Sequence, residues 1–188
     1  MTNNSSAPIE RAGLIQVGGQ PATVVGADLH PGERAPEFTA HTQEWQWLPA
    51  LAATRGMVRI IAAVPSLDTP VCDVETRTFN KWAAELGADV HILVVSTDLP
   101  YAQKRWCGSA GVDQVTTLSD HMTAEFGLRY GCLIKERRIL RRATFVVDRH
   151  DQIVYAAYTA KLGDEPEYDA ILDAARRALD AGPRGEQG

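Results

Sequence analysis

Long apolar runs are missing from this 188-residue chain. No stretch approaches the roughly 20 apolar residues of a membrane span. Met1 to Ala12 is polar and lacks the apolar segment of a secretory signal, so the expected location is the cytoplasm. Positive charge is not in excess: the formal net charge is -5, which gives no general attraction to nucleic acid or to an anionic membrane. Cysteine is scarce. Three residues, an odd number without C-x-x-C spacing, fit neither a zinc ribbon nor a disulfide scaffold. Structural disulfides are uncommon in the cytoplasm, so a cysteine pair there points to catalysis or redox sensing. His30, His41, His91, His121 and His150 form no H-x-x-x-H or H-E-x-x-H pair, so no metal site is expected. No glycine-rich dinucleotide motif is present, so no cofactor is expected and the chain should not use NADPH directly. Internal repeats and low-complexity blocks are absent.

What remains is the composition of an ordinary soluble globular protein, 45% hydrophobic and 23% charged, of a length that suits one domain. The expected organisation is a flexible segment over residues 1–12, a single domain over 13–181 and a flexible tail over 182–188. Leu14 to Val17, Gly18-Gly19 and Ala22 to Val25 read as an N-terminal hairpin. Val58 to Val64 is continuously apolar, as in a strand covered on both faces. A helix is expected from about Thr69 to Leu86, with Phe79, Trp82, Ala83 and Leu86 on one side and Gly87 as its stop. Val90 to Ser96 is a second buried strand, completing a βαβ unit with parallel strands. A short helix over Pro100–Trp106, a short strand over Gln114–Leu118 and a weak helix over Met122–Leu128 follow. Thr144–Val147 and Ile153–Tyr158 form an antiparallel hairpin. A closing helix covers Pro166–Ala181, with Ile171, Leu172, Ala175 and Leu179 as its apolar stripe. This order predicts an α/β, thioredoxin-like fold: a central mixed β-sheet flanked by helices, with an N-terminal β-hairpin.

Cys72 occupies the most informative position. The strand ending at Val64 runs into Pro65-Ser66-Leu67-Asp68-Thr69-Pro70-Val71, and Cys72 falls where the next helix begins. Thr69 is a good N-cap and Pro70 a good first helical residue. Cys72 then lies in the first turn, close to free backbone N–H groups and the positive end of the helix dipole. A free thiol has a pKa of about 8.5, so a reactive cysteine needs such support for its anion. The plain alternative is a buried, inert cysteine near a helix start.

The phrase Pro65-Ser66-Leu67-Asp68-Thr69-Pro70-Val71-Cys72 resembles the Pro-x-x-x-Thr-x-x-Cys motif of peroxiredoxins, in detail that of the thiol peroxidase branch, the atypical two-cysteine type. Further matching runs are Ser96 to Gly108, Leu133 to Glu136 and Glu165 to Tyr168, and the resemblance extends from about Val17 to Leu179. It implies that Cys72 is the peroxidatic cysteine, attacking a hydroperoxide and passing to a sulfenic acid. It implies that Thr69 hydrogen-bonds the peroxide or the thiolate, and that Pro65 shields the site from water. Arg142 matches the family's active-site arginine and would stabilise the thiolate and polarise the O–O bond. Arg141 is adjacent. Neighbours on a strand face opposite ways, so one of the two reaches Cys72, and for Arg141 a solvated charge is the expectation.

The resemblance further implies that Cys107 is the resolving cysteine, forming an intramolecular disulfide with Cys72 after both local segments unwind. Gly108 and Gly111 would ease that movement, and Trp106 would pack until released. Cys132 stands where the family has an apolar residue and reads as core filler. The implied partners are a hydroperoxide substrate, thioredoxin as reductant and a second copy of the chain in a homodimer. The alternative function is a thioredoxin-like redox-sensing or partner-binding module that uses the same disulfide as a switch. A disulfide oxidoreductase is disfavoured because Cys72 lacks a C-x-x-C partner, and no local motif supports a Cys-His hydrolase. Of the remaining residues, Asp68 is a candidate cap for the turn, His91 a hydrogen-bonded structural residue and His121 a near-surface one. Trp45 and Trp47 are expected to pack.

Overall fold

The computed structural model describes residues 8–182. Its centre is a seven-stranded sheet built around the βαβ unit. Strand β5 (Val58–Ala63) pairs in parallel with β6 (Val90–Ser96), and β6 in parallel with β7 (Thr116–Ser119). On the other side of β5, β10 (Ala143–Val147) and β11 (Ile153–Tyr158) continue the sheet antiparallel. Beyond β7 lie two short strands, β3 (Thr39–His41) and β4 (Trp47–Pro49). The spatial order is β11-β10-β5-β6-β7-β3-β4. Every residue of β5 is buried, because both faces of the sheet are covered. Its alternating side chains serve two cores. Ile60 and Ala62 pack under helices α2 (Pro70–Leu86), α3 (Pro100–Ala110) and α5 (Tyr168–Asp180). Ile61 and Ala63 face an aromatic cluster of Phe38, Phe126, Tyr130 and Phe145.

A second, four-stranded sheet carries the expected hairpin, β1 (Glu10–Val17) and β2 (Gln20–Val25), joined to the short strands β8 (Leu133–Ile134) and β9 (Ile139–Leu140). The hairpin begins earlier than expected. Glu10 and Arg11 pair with Val25 and Val24, so the flexible segment assigned to residues 1–12 does not reach its assigned end. Polar composition hid this: Lys135 Nζ binds the Glu10 carboxylate at 2.6 Å, and Arg11 pairs with Asp28. The first seven residues of that segment, and the tail beyond Gly182, lie outside the described residues.

Three helices differ in extent from the expectation, α5 only at its ends, where Tyr168–Asp180 replaces the expected Pro166–Ala181. Helix α3 runs on through Cys107 to Ala110 and ends at Gly111, whose left-handed φ of 65° supplies the cap. Helix α4 (Glu125–Arg129) starts three residues late because the Asp120 carboxylate accepts the Phe126 and Gly127 N–H groups and fixes the start there. On α5 the stripe shifts to Ile171, Ala174, Ala175 and Ala178, with Leu172 and Leu179 only partly covered. No helix among the described residues is long and apolar enough to cross a membrane.

Candidate active site

The parallel strands place the site at their carboxyl ends, where β5 gives way to α2. Val64 extends the ladder by one bond to Val95 O at 2.9 Å. The chain then turns through a buried Pro65. The turn is pinned from the next strand: Asp98 accepts the Ser66 hydroxyl and the Leu67 N–H, each at 2.8 Å, and is itself held by Ser96 Oγ at 2.8 Å. Asp98 is therefore the anchor of this loop. The capping role assigned to Asp68 fails: Asp68 is exposed and pairs with Arg105 at 3.0 Å.

Thr69 sits at the N-cap of α2 and Pro70 at its first turn, as expected, but the threonine side chain makes no capping bond. Its hydroxyl donates to Ser66 O at 3.1 Å. The oxygen's acceptor capacity is left over. The first helical bond is Asp73 N–H to Thr69 O at 2.9 Å, so the amides of Val71 and Cys72 precede the helical ladder. Cys72 is fully buried there, its carbonyl taken by the Thr76 hydroxyl at 2.7 Å.

Arg142 immediately precedes β10 and brings its guanidinium to the sulfur. Nη2 lies 3.2 Å from Cys72 Sγ and 3.1 Å from Leu162 O, while Nη1 binds the Glu75 carboxylate. Burial pulls the guanidinium down, but the combined attraction of Glu75 and Cys72 carries its pKa above the ordinary arginine value. Strand alternation sends Arg141 the other way, yet not into solvent. It is buried, donates to Gly131 O at 2.8 Å, pairs with Asp28 and stacks 3.8 Å over the Tyr158 ring. The solvated charge expected at Arg141 is corrected accordingly. This arginine ties the chain before β10 to Asp28 and the Tyr130–Gly131 turn.

Glu75 was missed by sequence reading. It lies one turn beyond Cys72 on the same face of α2 and is fully buried. Desolvation pushes its pKa up to about 7, against the attraction of Arg142 and with a further push from Glu165. Its second oxygen, Oε1, has no hydrogen-bond partner among the described residues. The spacing Cys72-x-x-Glu75 was the available signal, but a carboxylate inside an amphipathic helix reads as solvent-facing until the fold covers it.

Cys107 is buried within α3, in the same apolar core as Cys72. Its sulfur lies 3.8 Å from Thr117 Oγ1, which also accepts from Gln43 at 2.8 Å. Burial raises its pKa, partly offset by these hydrogen bonds. All three cysteines are free thiols. Cys132 is fully buried, donates to Tyr130 O at 3.2 Å, and burial holds its pKa well above the ordinary value, which suits the core role expected of it. His91 bonds Thr116 at 3.0 Å and is structural. Trp45 and Trp47 do not enter the core. They are exposed around His41, with the Trp47 ring tilted against the imidazole at a centroid distance of 3.8 Å. Among the described residues no group of three or more His, Cys, Asp or Glu side chains is placed to hold a metal.

Comparison with known proteins places the chain in a family. The Redoxin family model matches residues 30–172. The thiol peroxidase of Bacillus subtilis is 46% identical over 158 residues, covering 84% of this chain and 93% of that protein. The thiol peroxidase of Halalkalibacterium halodurans is 44% identical over 161 residues, covering 86% and 96%. A crystal structure of a peroxiredoxin-like protein from Aquifex aeolicus superposes with a TM-score of 0.79 at 35% identity, covering 92% of this chain and 99% of that one. The thiol peroxidase from Chromobacterium violaceum, 20% identical with a TM-score of 0.77 over 89% of this chain and 97% of its own, shares the fold. With a buried thiol at a helix start beneath a guanidinium, and relatives of this identity along most of its length, the chain belongs to the redoxin family as a peroxiredoxin-type thiol peroxidase.

Proposed function

We propose that Cys72 is the peroxidatic residue of this peroxidase and that its substrates are hydrogen peroxide and organic hydroperoxides. The observation that carries the reading is the 3.2 Å contact of Arg142 Nη2 with Cys72 Sγ at the N-terminus of α2. The helix end and the cation both favour the sulfur anion, and the same N–H can follow the charge as it moves to oxygen. The thiolate attacks the terminal peroxide oxygen. The O–O bond breaks, and the leaving oxygen takes a proton to depart as water or an alcohol. Cys72 is left as a sulfenic acid. Thr69 fits a substrate role because its hydroxyl proton is committed to Ser66 O, so its oxygen accepts the O–H of a hydroperoxide. Pro65 keeps water from the sulfur.

Cys107 then acts as the resolving residue. Its sulfur attacks Cys72, water leaves, and an intramolecular disulfide forms. A dithiol reductant, thioredoxin by family analogy, restores both thiols. The protein acts in the cytoplasm as a homodimer. The test is steady-state peroxide consumption with a thioredoxin system. Cys72→Ser should abolish it, and full activity in that variant would remove the assignment. A redox switch of the same disulfide would react once and stop.

A further inference from the structure

Resolution of Cys72 by Cys107, the reading proposed above, implies by family analogy that both local segments unwind, and it breaks the contact that each sulfur makes here, Cys72 with Arg142 and Cys107 with Thr117. The two lie on successive helices packed on one face of the sheet. A disulfide needs their Cα atoms within about 7 Å. The last turn of α3 is the segment that most readily gives way, since it ends at Gly111 just beyond Cys107. That turn is not free to fray.

Arg77, on the second turn of α2, holds it. Its Nε binds Asp73 at 2.8 Å, next in sequence to Cys72. Its Nη1 donates to Ala110 O at 2.6 Å, one of the carbonyls that the end of α3 leaves without a helical partner. Its guanidinium also lies 5.8 Å from the ring centroid of Trp106, next in sequence to Cys107. One side chain thus touches the neighbour of each cysteine. Three residues on, Asn80 Oδ1 accepts the N–H groups of Asp113 and Gln114 at 3.1 and 2.7 Å, tying down the chain that leaves α3.

We propose that Arg77 and Asn80 form a brace between the two cysteine helices, and that opening of this brace sets the rate of disulfide closure. While it holds, the sulfenic acid of Cys72 persists and is open to a second peroxide molecule. That molecule transfers one oxygen to the sulfur, giving sulfinic acid, and departs as water or an alcohol. Closure and overoxidation compete for one intermediate, so the brace also sets the peroxide concentration at which the enzyme inactivates. Arg77 and Asn80 are positioning residues. Neither touches the reacting sulfur.

The experiment uses the full reduced chain, oxidised by one equivalent of peroxide and quenched by alkylation at successive times. Mass spectrometry then follows the Cys72–Cys107 link and, at higher peroxide, sulfinic acid at Cys72. Arg77→Met and Asn80→Ala should each close about three- to tenfold faster than the parent, the size of one or two lost hydrogen bonds. The peroxide needed for half overoxidation should rise by the same factor. Lys81→Ala is the control, since its 3.8 Å ion pair with Glu85 stays within α2. It should close at the parent rate. Parent-rate closure in both brace variants, or equal acceleration by Lys81→Ala, overturns the brace alone. A parent chain that forms no Cys72–Cys107 link overturns the resolving role, and the brace with it.

Discussion

Cys72 and Glu75, one helical turn apart on α2, share a single guanidinium, that of Arg142. The arginine is thus drawn to the sulfur by one contact and held in place by the other. The carboxylate that holds it is fully buried, and one of its oxygens has no hydrogen-bond partner among the described residues. Burying an incompletely satisfied charge is costly, which is why Glu75 keeps its proton up to about pH 7.

This has a consequence for stability. The folded chain releases the Glu75 proton at about pH 7 and the unfolded chain near 4.5, the ordinary glutamate value. Between those values the native state binds the extra proton, so this group's contribution falls as pH rises through the window, by about 3 kcal/mol in all. Glu75→Gln keeps an acceptor for Arg142 and removes the titration. Urea unfolding of the reduced protein between pH 4.5 and 8 should show a flatter profile for the variant and a gain at pH 8. Parallel profiles would place the titration elsewhere.

Removing the arginine tests the other half of the pair. Arg142→Met should lower kcat/KM for peroxide by about 10²–10³, the cost of losing one preorganised donor to the developing charge. It should also destabilise the fold at pH 8, through Glu75 by roughly 1 kcal/mol, because the buried carboxyl that loses its cation takes up a proton there. Combining it with Glu75→Gln should recover most of the stability and none of the activity. Recovered activity in the double variant would mean that the guanidinium acts through folding alone.

Much of this was legible in the sequence, for identifiable reasons. The βαβ unit was, because Val58–Val64 and Val90–Ser96 are apolar on both faces and need no tertiary information. The helix start at Cys72 was, because Thr69-Pro70 is a local signal. Arg142 required the family resemblance, since nothing in Arg137–Arg142 distinguishes one basic residue from another until strand alternation is fixed by the sheet. Glu75, Asp98 and the burial of Arg141 were not legible. Each is a charged residue made internal by segments distant in sequence, and composition assigns such residues to the surface. Strands β3, β4, β8 and β9 are two or three residues long and carry no periodicity to read.

Arg141 should behave as a structural residue. Its contacts to Asp28, Gly131 O and the Tyr158 ring join three segments, and burial brings its pKa down to about 10. Arg141→Ala should cost about 2–3 kcal/mol in unfolding free energy, from a lost buried charge-assisted pair and its ring contact. Peroxide consumption per folded molecule should stay within about twofold of the parent, a factor worth only tenths of a kcal/mol in barrier. A loss comparable to that of Arg142→Met at full folding would show that both arginines serve the sulfur.

The two remaining cysteines separate by the same logic. Burial raises both, but Cys107 has Thr117 and Gln43 to offset part of the rise, whereas Cys132 lies deep in the aromatic core, is pushed up further by Asp120 and is drawn back only by the Arg11 charge, its S–H being held by the Tyr130 carbonyl. Thiolate character governs attack on a sulfenic acid, so Cys107 should resolve and Cys132 should not. Cys107→Ser should leave the first oxidation at the parent rate, measured by competition for peroxide, and should accumulate sulfenic acid with no intramolecular link. Cys132→Ala should turn over normally and lose about 1 kcal/mol or more from the vacated core volume. Peptide mapping after peroxide treatment decides between them. A dominant Cys72–Cys132 link would transfer the resolving role to Cys132 and would require the aromatic core around Phe126 and Tyr130, rather than the end of α3, to open during turnover.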